Sequence, residues 1–351
     1  CLEKNFVSTI GNYVNEFEQK VKKLTKSKHA IAVINGTSAL HVSLEVLGVK
    51  TNDEVLMPSL NFVASANAVK YCEAIPHFVE VDEKTLGVDS IKLDKYLNKI
   101  VILKKGKPFN KFTKKKISCL ILLHLFGHAA KVDEIKKITN KYKIPLLEDA
   151  AEALGSFFKK KHLGTFGDIG ILSFNGNKII TTGGGGAILT RNKNLAKRIK
   201  FLTTTAKIPH QWKYEYSDVG YNYRLPGINA ALGCSQLLKL KKYIILKRKL
   251  FQIYNKNFSK NNSFKIFKEP KNSKSNYWLQ TLMLKKKSIV LRNKLIEFSN
   301  KKGFSIRPVW KVLHKLKHFK NCPKMNLKVT EDLEVQIINL PSSSYLATHK
   351  F

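Results

Sequence analysis

Compact apolar runs alternate with segments of helical apolar spacing along about the first 190 residues. Apolar positions three and four apart predict helices over residues 13–24 and 132–141, and another that begins near residue 37. Short apolar runs predict strands at 30–34, 54–58, 77–82, 117–125, 144–149 and 169–174. This repetition of strand and helix predicts an α/β fold, a mostly parallel sheet with helices on both faces.

The pattern changes towards the C-terminal end of the chain. We predict a helix over residues 226–238 and, after it, a second helix over 241–257 and a strand over 278–284; the last two indicate a smaller α+β unit. The expected division is a large domain over residues 1–238 and a small domain over residues 239–351. Residues 104–116 are rich in lysine and predict a surface excursion.

A glycine-rich stretch, residues 168–186, surrounds a single lysine, Lys178. The predicted strand before it ends in the polar N-G-N, which favours a turn, and two threonines and four glycines follow. Glycine lets the backbone pass close to another group. A lysine presented in this way could be a covalent nucleophile. The alternative is that Lys178 lies in water, like most lysines in proteins.

Length and charge limit the class of protein. The chain has 351 residues, of which 43% are hydrophobic and 25% charged, enough for one large and one small globular domain. The net charge of +38 invites a nucleic-acid function. The lysine runs recur along the whole chain, however, with few arginines and no nucleic-acid motif. This distribution favours a bias in amino-acid usage over a specific nucleic-acid interface.

Cysteine usage and hydropathy indicate a cytoplasmic protein. The five cysteines are scattered without a C-x-x-C pair, so neither a disulfide framework nor a zinc site is predicted. No apolar run approaches the roughly 20 residues of a membrane span, and no signal peptide is recognisable. The first residues resemble the middle of a helix and the turn after it. We therefore expect the natural N-terminus to lie upstream of Cys1.

An anion pocket is predicted at the start of the helix near residue 37. Asn35 and Gly36 favour a turn, and Thr37 and Ser38 then open the helix. Free backbone N–H groups and the helix dipole both favour a phosphate at such a place. The alternative is ordinary N-capping by a hydroxyl.

Further chemistry lies at predicted strand ends. Glu148 and Asp149 end one strand, at the edge where open α/β sheets bind ligands. Phe62 follows another strand and could either stack on a flat ligand or belong to the core. His124 and His128 straddle a glycine, so a metal site is not expected there.

Together these positions supply what pyridoxal 5′-phosphate (PLP) needs. The cofactor requires a phosphate cradle, a ring-stacking group, an acid for its pyridine nitrogen and an amine for covalent attachment. The candidates for these roles are Gly36, Thr37, Ser38, Phe62, Asp149, Ser173 and Lys178.

Six motifs resemble those of the DegT/DnrJ/EryC1/StrS family of sugar aminotransferases. They are N-G-T-S-A-L-H, P-S-L-N-F-V-A-S-A-N-A-V, H-L-F-G-H, E-D-A-A-E-A-L-G-S, F-G-D-I-G-I-L-S-F-N-G-N-K-I-I-T-T-G-G-G-G and D-V-G-Y-N-Y-R-L-P-G-I-N-A-A-L-G. The resemblance runs from about Val7 to the end. It implies the PLP-dependent transferase fold type I (aspartate-aminotransferase-like), with a mostly parallel seven-stranded sheet. It also implies a homodimer with shared active sites.

The resemblance assigns roles residue by residue. Lys178 would be the residue bound to the cofactor, and Asp149 would pair with the pyridine nitrogen. Phe62 would stack on the ring. Asn222 would reach the phosphate from the partner subunit. Three hydroxyl residues would hold the phosphate beside Gly36, namely Thr37, Ser38 and Ser173.

Glu152 departs from the commonest family pattern, which has Gln or His near the phenolic oxygen of the cofactor. A carboxylate facing a phenolate costs free energy unless it is protonated or turned towards a donor. Glutamate here resembles family members of the perosamine-synthase type.

The resemblance implies transfer of an amino group from L-glutamate to the C4 keto group of a nucleotide-linked 4-keto-6-deoxy sugar. The reaction leaves 2-oxoglutarate and serves surface-glycan biosynthesis. Alternatives are another PLP-dependent reaction on a sugar nucleotide, such as deoxygenation or dehydration, or a basic nucleic-acid-binding protein. His210, Trp212, Arg307 and Trp310 lie in segments that resemble subfamily loops near the sugar nucleotide, like those of enzymes making UDP-linked 4-amino sugars for bacillosamine or legionaminic acid. Trp310 could instead pack between domains.

Overall fold

The computed structural model describes residue 8 and residues 11–348. The interpretation of the first residues as the middle of a helix and the turn after it concerns residues that lie almost entirely outside this part of the chain. In the described part the α-helices are α1 Asn12–Thr25, α2 Gly36–Val46, α3 Val63–Tyr71, α4 Ser90–Ile100, α5 Val132–Lys141, α6 Lys193–Thr203, α7 Gly227–Phe258, α8 Ile289–Lys301 and α9 Lys328–Gln336.

The strands are short, and each of the seven predicted runs corresponds to one of them, with bounds that agree within three residues. They are β1 His29–Val33, β2 Glu54–Pro58, β3 Ile75–Val79, β4 Val101–Lys104, β5 Lys107–Asn110, β6 Ile117–Leu123, β7 Leu146–Asp149, β8 Phe157–Phe158, β9 Lys161–His162, β10 Ile169–Ser173, β11 Gly186–Thr190, β12 Lys207–Ile208, β13 Glu215–Tyr216, β14 Phe264–Ile266, β15 Ser273–Lys274, β16 Gln280–Leu284, β17 Arg307–Pro308 and β18 Ile337–Leu340. The lysine-rich segment from residue 104 thus begins inside the hairpin formed by β4 and β5.

Seven strands form the main sheet in the order β1-β11-β10-β7-β6-β2-β3. The five strands from β10 to β3 pair parallel, whereas β11 pairs antiparallel with both of its neighbours. β6 is buried along its whole length, as expected of a parallel strand covered on both faces. The predicted seven-stranded, mostly parallel sheet is confirmed.

Alternating side chains of the strands point into two separate apolar clusters. In β6, Leu120 packs with residues of α1, α4, α5 and α7, whereas Ile121 packs with residues of α2, α3 and α6. This alternation follows from the two-residue period of a strand. Helices therefore cover both faces of the sheet, and a ligand can reach it only at an edge.

The C-terminal part contains a four-stranded antiparallel sheet in the order β14-β16-β18-β17. The helix before it, α7, is continuous over 32 residues. The prediction of two helices, 226–238 and 241–257, is therefore wrong. The connecting residues 238–242, L-K-L-K-K, contain neither Gly nor Pro, and Leu and Lys favour a helix, so no local signal ends it.

Lys247 joins α7 to the segments that approach the sheet edge. Its side chain is buried, and Nζ donates to the carbonyl oxygens of Trp278 at 2.9 Å and Ser342 at 2.7 Å. Neither partner carries a charge. Burial accordingly lowers the pKa of Lys247 to about 8.

Replacing Lys247 with Met should change how stability depends on pH. Above about pH 8 the folded chain has lost this proton, whereas the unfolded chain keeps it up to about pH 10. The unfolded state then binds more protons, so the free energy of unfolding of the wild type should rise relative to Lys247→Met, by up to about 3 kcal/mol. Urea unfolding from about pH 7 to about pH 10 measures the difference.

Lys249→Met is the matched control, because Lys249 lies on the same helix and is exposed. Its unfolding free energy should follow the wild-type curve across this pH range. A constant difference between wild type and Lys247→Met would contradict the shifted pKa of Lys247.

Candidate active site

A cavity of about 290 Å³ opens at the carboxyl ends of β6, β7 and β10. Parallel strands bring their carboxyl ends to one edge, where open α/β sheets bind ligands. Most of the predicted cofactor residues line this cavity, namely Gly36, Thr37, Phe62, Asp149, Glu152, Ser173 and Lys178.

Lys178 lies inside the cavity with only 14% of its side chain exposed. Its backbone N–H donates to the carbonyl of Asn175 at 3.0 Å, which closes the predicted turn after β10. Nζ lies 3.8 Å from Oε1 of Glu152 and 4.0 Å from the ring centre of Trp278. The alternative of a lysine standing in water is therefore excluded for Lys178.

Asp149 ends β7 and is held by two hydrogen bonds. The Ser65 hydroxyl donates to Oδ2 at 2.7 Å, and the Ala151 N–H donates to Oδ1 at 3.2 Å. Burial raises the pKa of Asp149, so a cationic partner in the cavity would stabilise the ionised carboxylate. Glu148, one position earlier, does not line the cavity and instead meets His124 at 3.0 Å.

Glu152 is 4% exposed and turned towards a donor. The backbone N–H of Phe126 donates to its Oε2 at 2.6 Å, while Oε1 faces Lys178. Burial raises the pKa of Glu152 to about 7, against the opposing effect of the lysine charge. A carboxyl group can face a phenolic oxygen if it is protonated or turned towards a donor. Glu152 meets the second condition through the Phe126 N–H, and its raised pKa favours the first.

The N-cap of α2 is Asn35, and the alternative of a Ser or Thr cap is wrong. The Asn35 side chain accepts from the Ser38 N–H at 2.7 Å, which an Asx side chain does as readily as a hydroxyl. Thr37 lines the cavity, whereas Ser38 does not. A Cβ added to Gly36 would lie 3.2 Å from Cβ of Ser173, so glycine lets the helix start approach that hydroxyl.

The cavity also contains an unpaired amide that sequence reasoning missed. Asn61 is buried, lines the cavity, and has no hydrogen-bond partner for Nδ2 or Oδ1. A buried polar group of this kind is normally satisfied, so Asn61 is suited to a polar ligand. Its place between the end of β2 and α3 could have identified it.

The predicted substrate residues divide into two groups. Arg307 and Trp310 line an adjoining cavity of about 580 Å³, which shares Trp310 and Trp278 with the first. Trp310 also meets the ring of Phe126 at 5.7 Å, so it both packs and lines the site.

The other group lies away from both cavities. His210 and Trp212 are exposed in the hairpin of β12 and β13, and 72% of Trp212 is accessible. Asn222 is exposed too and forms an isolated bridge with Thr204. Within one described chain these residues do not meet Lys178.

The two histidines of H-L-F-G-H point to different partners. His124 contacts Glu148, whereas the ring of His128 lies between those of Phe267 and Tyr277. Residues 11–348 contain no group of His, Cys, Asp and Glu side chains arranged to hold a metal ion.

A sequence profile of the DegT/DnrJ/EryC1/StrS aminotransferase family matches residues 1–351. The chain belongs to this family. The predicted resemblance is thereby confirmed. Aminotransferases of this family use PLP, so the chain is a PLP-dependent aminotransferase. The unpaired Asn61 amide, the close approach of Gly36 to Ser173 and the buried Asp149 fit such a cofactor.

Two curated relatives and one solved structure illustrate the similarity. GDP-perosamine synthase of Escherichia coli O157:H7 is 35% identical over 352 residues, which cover 100% of this chain and 90% of the relative. UDP-4-amino-4,6-dideoxy-N-acetyl-beta-L-altrosamine transaminase of Campylobacter jejuni is 31% identical over 318 residues, 90% of this chain and 81% of the relative. A family aminotransferase from Brucella abortus is 26% identical with a TM-score of 0.87, covering 98% of this chain and 88% of that one.

Replacing Glu152 with Gln should remove a titration from the folded chain. The folded state holds the Glu152 proton up to about pH 7, whereas the unfolded state releases it near its ordinary pKa of 4.5. The folded state then binds more protons, so wild-type stability relative to Glu152→Gln should fall by up to about 3 kcal/mol as pH rises through this window. Thermal unfolding of the cofactor-free chain across that range measures it.

Glu297→Gln provides the comparison, because Glu297 is exposed on α8. Its midpoint of unfolding should stay close to that of the wild type at every pH. If Glu152→Gln behaved in the same way, Glu152 would not carry a raised pKa.

Proposed function

We propose that this aminotransferase moves an amino group from L-glutamate to the C4 keto group of a nucleotide-linked 4-keto-6-deoxy sugar. The observation that carries the proposal is a largely enclosed Lys178 amine 3.8 Å from the buried Glu152, in a sheet-edge cavity that the buried Asp149 also lines. The names of the relatives support it, since both describe enzymes of nucleotide-linked amino sugars.

Each cavity wall supplies one part of the cofactor site in this proposal. Gly36, Thr37 and Ser173 bind the phosphate of PLP, and Asp149 binds the protonated pyridine nitrogen. Phe62, which is half exposed at the mouth of the cavity, covers the ring. The bound cofactor supplies an electron sink for charge that develops at the substrate carbon.

Lys178 and Glu152 carry the proton chemistry. The free amine of Lys178 takes a proton from the α-carbon of the amino donor and returns one to the carbon that becomes the amine-bearing carbon of the product. Glu152, with its pKa raised to about 7, holds a proton towards the phenolic oxygen of the cofactor. The N–H of Phe126 fixes this carboxyl group in place.

The adjoining cavity binds the sugar nucleotide. It meets the cofactor cavity at Trp278 and Trp310 and extends to Arg307. A guanidinium group recognises phosphate oxygens by paired hydrogen bonds. Arg307 therefore binds the diphosphate of the acceptor. The keto carbon of the acceptor sugar then points towards Lys178.

The functional unit is a homodimer in which each site takes residues from both chains. His210, Trp212 and Asn222 lie outside the cavities of their own chain. The segment around them exposes large apolar side chains, including Tyr214 at 77% and Val219 at 76%, as interaction surfaces do. In the dimer these residues reach the partner's cofactor and acceptor.

We place the enzyme in the cytoplasm and retain the division into residues 1–238 and 239–351, with α7 running through both parts. Cys72, Cys119 and Cys234 are unpaired thiols, as expected in a reducing compartment. Among the helices of the described chain, none has the length and apolarity needed to span a membrane.

Lys178→Ala should lower amino transfer by about 100- to 10,000-fold, because it removes both the attachment point and the proton carrier. The assay incubates the enzyme with glutamate and a panel of keto-sugar nucleotides, and identifies products by NMR. The exposed Lys286→Ala should keep wild-type turnover. Full turnover by Lys178→Ala, or an oxygen lost without an amine gained, would refute the proposal.

A mixture of Lys178→Ala and Asn222→Ala chains should regain activity after subunit exchange. A mixed dimer holds one site with both residues intact, so random exchange should restore about a quarter of wild-type activity. Each variant alone serves as the control. If the mixture showed only the average of the two variants, Asn222 would act in its own chain or not at all.

A further inference from the structure

Trp278 forms a wall of the cavity directly against Lys178. Nζ of Lys178 lies 4.0 Å from the centre of the indole ring, and Trp278 is 4% exposed. A cation over an aromatic face is attracted by the ring quadrupole, most strongly when both are removed from water. The same indole borders the adjoining cavity.

Trp278 is fixed by hydrogen bonds to three other residues. The indole N–H donates to the carbonyl of Asn177 at 2.8 Å, and the backbone N–H donates to Oδ1 of Asn276 at 2.9 Å. Its carbonyl accepts from the buried Lys247. Packing against a core requires none of these polar contacts, so they define the orientation of the ring.

The same network reaches the other neighbour of Lys178. Nδ2 of Asn276 donates to the carbonyl of Glu152 at 2.8 Å. A Cβ on Gly127, whose φ is +86°, would overlap Oδ1 of Asn276. The backbone positions of Trp278 and Glu152 are therefore set by one buried amide, with Lys178 between the two side chains.

We propose that Trp278 is a positioning residue for Lys178. The indole face holds the Nζ ammonium group beside Glu152 and away from water, and the indole N–H fixes the peptide immediately before the lysine. This inference rests on the proposed role of Lys178 in the reaction. The alternative is that Trp278 only fills space in the apolar cluster that it shares with Phe126 and Val309.

Trp278→Phe and Trp278→Leu separate the two contributions. Phe keeps an aromatic face but loses the N–H, whereas Leu loses both. Competitive acetylation of the intact 351-residue chain, followed by mass spectrometry, reports how accessible and reactive the Lys178 amine is. Lys207, which lies over the exposed Tyr214 ring at 4.1 Å, is the internal reference in the same digest.

Acetylation of Lys178 should rise roughly three- to tenfold in Trp278→Leu and less in Trp278→Phe. Labelling within about twofold of wild type in both variants, relative to Lys207, would overturn the proposal. A folded Trp278→Phe suffices if Trp278→Leu does not fold.

Two further measurements separate this proposal from the proposed function. Added PLP should protect Lys178 from acetylation in the wild type. If PLP did not protect Lys178, the proposed role of Lys178 would be refuted. The acetylation of the Trp278 variants without PLP would still decide whether Trp278 positions the amine. In turnover, kcat should fall even at saturating keto sugar, whereas a change confined to KM would overturn a positioning role for Trp278.

Discussion

Parallel pairing of the central strands is the constraint on which the site depends. The ladder places Leu123 at the end of β6 and Ile171 in β10 on either side of Asp149. Because all three strands run in one direction, their polar C-terminal residues must gather at one edge. The backbone hydrogen bonds of the sheet thus determine which side chains come together at this edge. β11, the antiparallel exception, brings the chain back into the sheet beside β10 after the glycine-rich segment that follows Lys178.

Burial of charge is compensated locally at this edge. Asp149 and Glu152 are both removed from water, which raises the pKa of each, and both receive directed N–H or O–H donors. Lys178 supplies the nearest positive charge. Such a group of interacting ionisable residues is costly to desolvate, but it leaves an amine whose proton can be moved with little rearrangement.

The sequence predicted what local patterns determine. Strand and helix periods gave the sheet, and residue types beside a turn identified Lys178 and Asp149. Sequence could not show that Asn35 rather than a hydroxyl caps α2, because both cap helices equally well. The continuity of α7 was missed because a domain boundary was placed after residue 238, where no local signal ends a helix. Trp278 was missed since it meets Asn177 across 101 positions of sequence, and no local pattern encodes such a contact.

Long-range contacts also explain why the predicted domain boundary does not separate functions. Besides Trp278, the small domain contributes His314, whose Nδ1 lies 2.7 Å from the hydroxyl of the buried Ser59. Ser59 begins the loop that carries Asn61 and Phe62 into the cavity, and its carbonyl accepts from the N–H of Leu313. A shift of the small domain would therefore move both the cover of the cavity and the ring over Lys178. Residues on both sides of the predicted boundary therefore form the walls of one cavity.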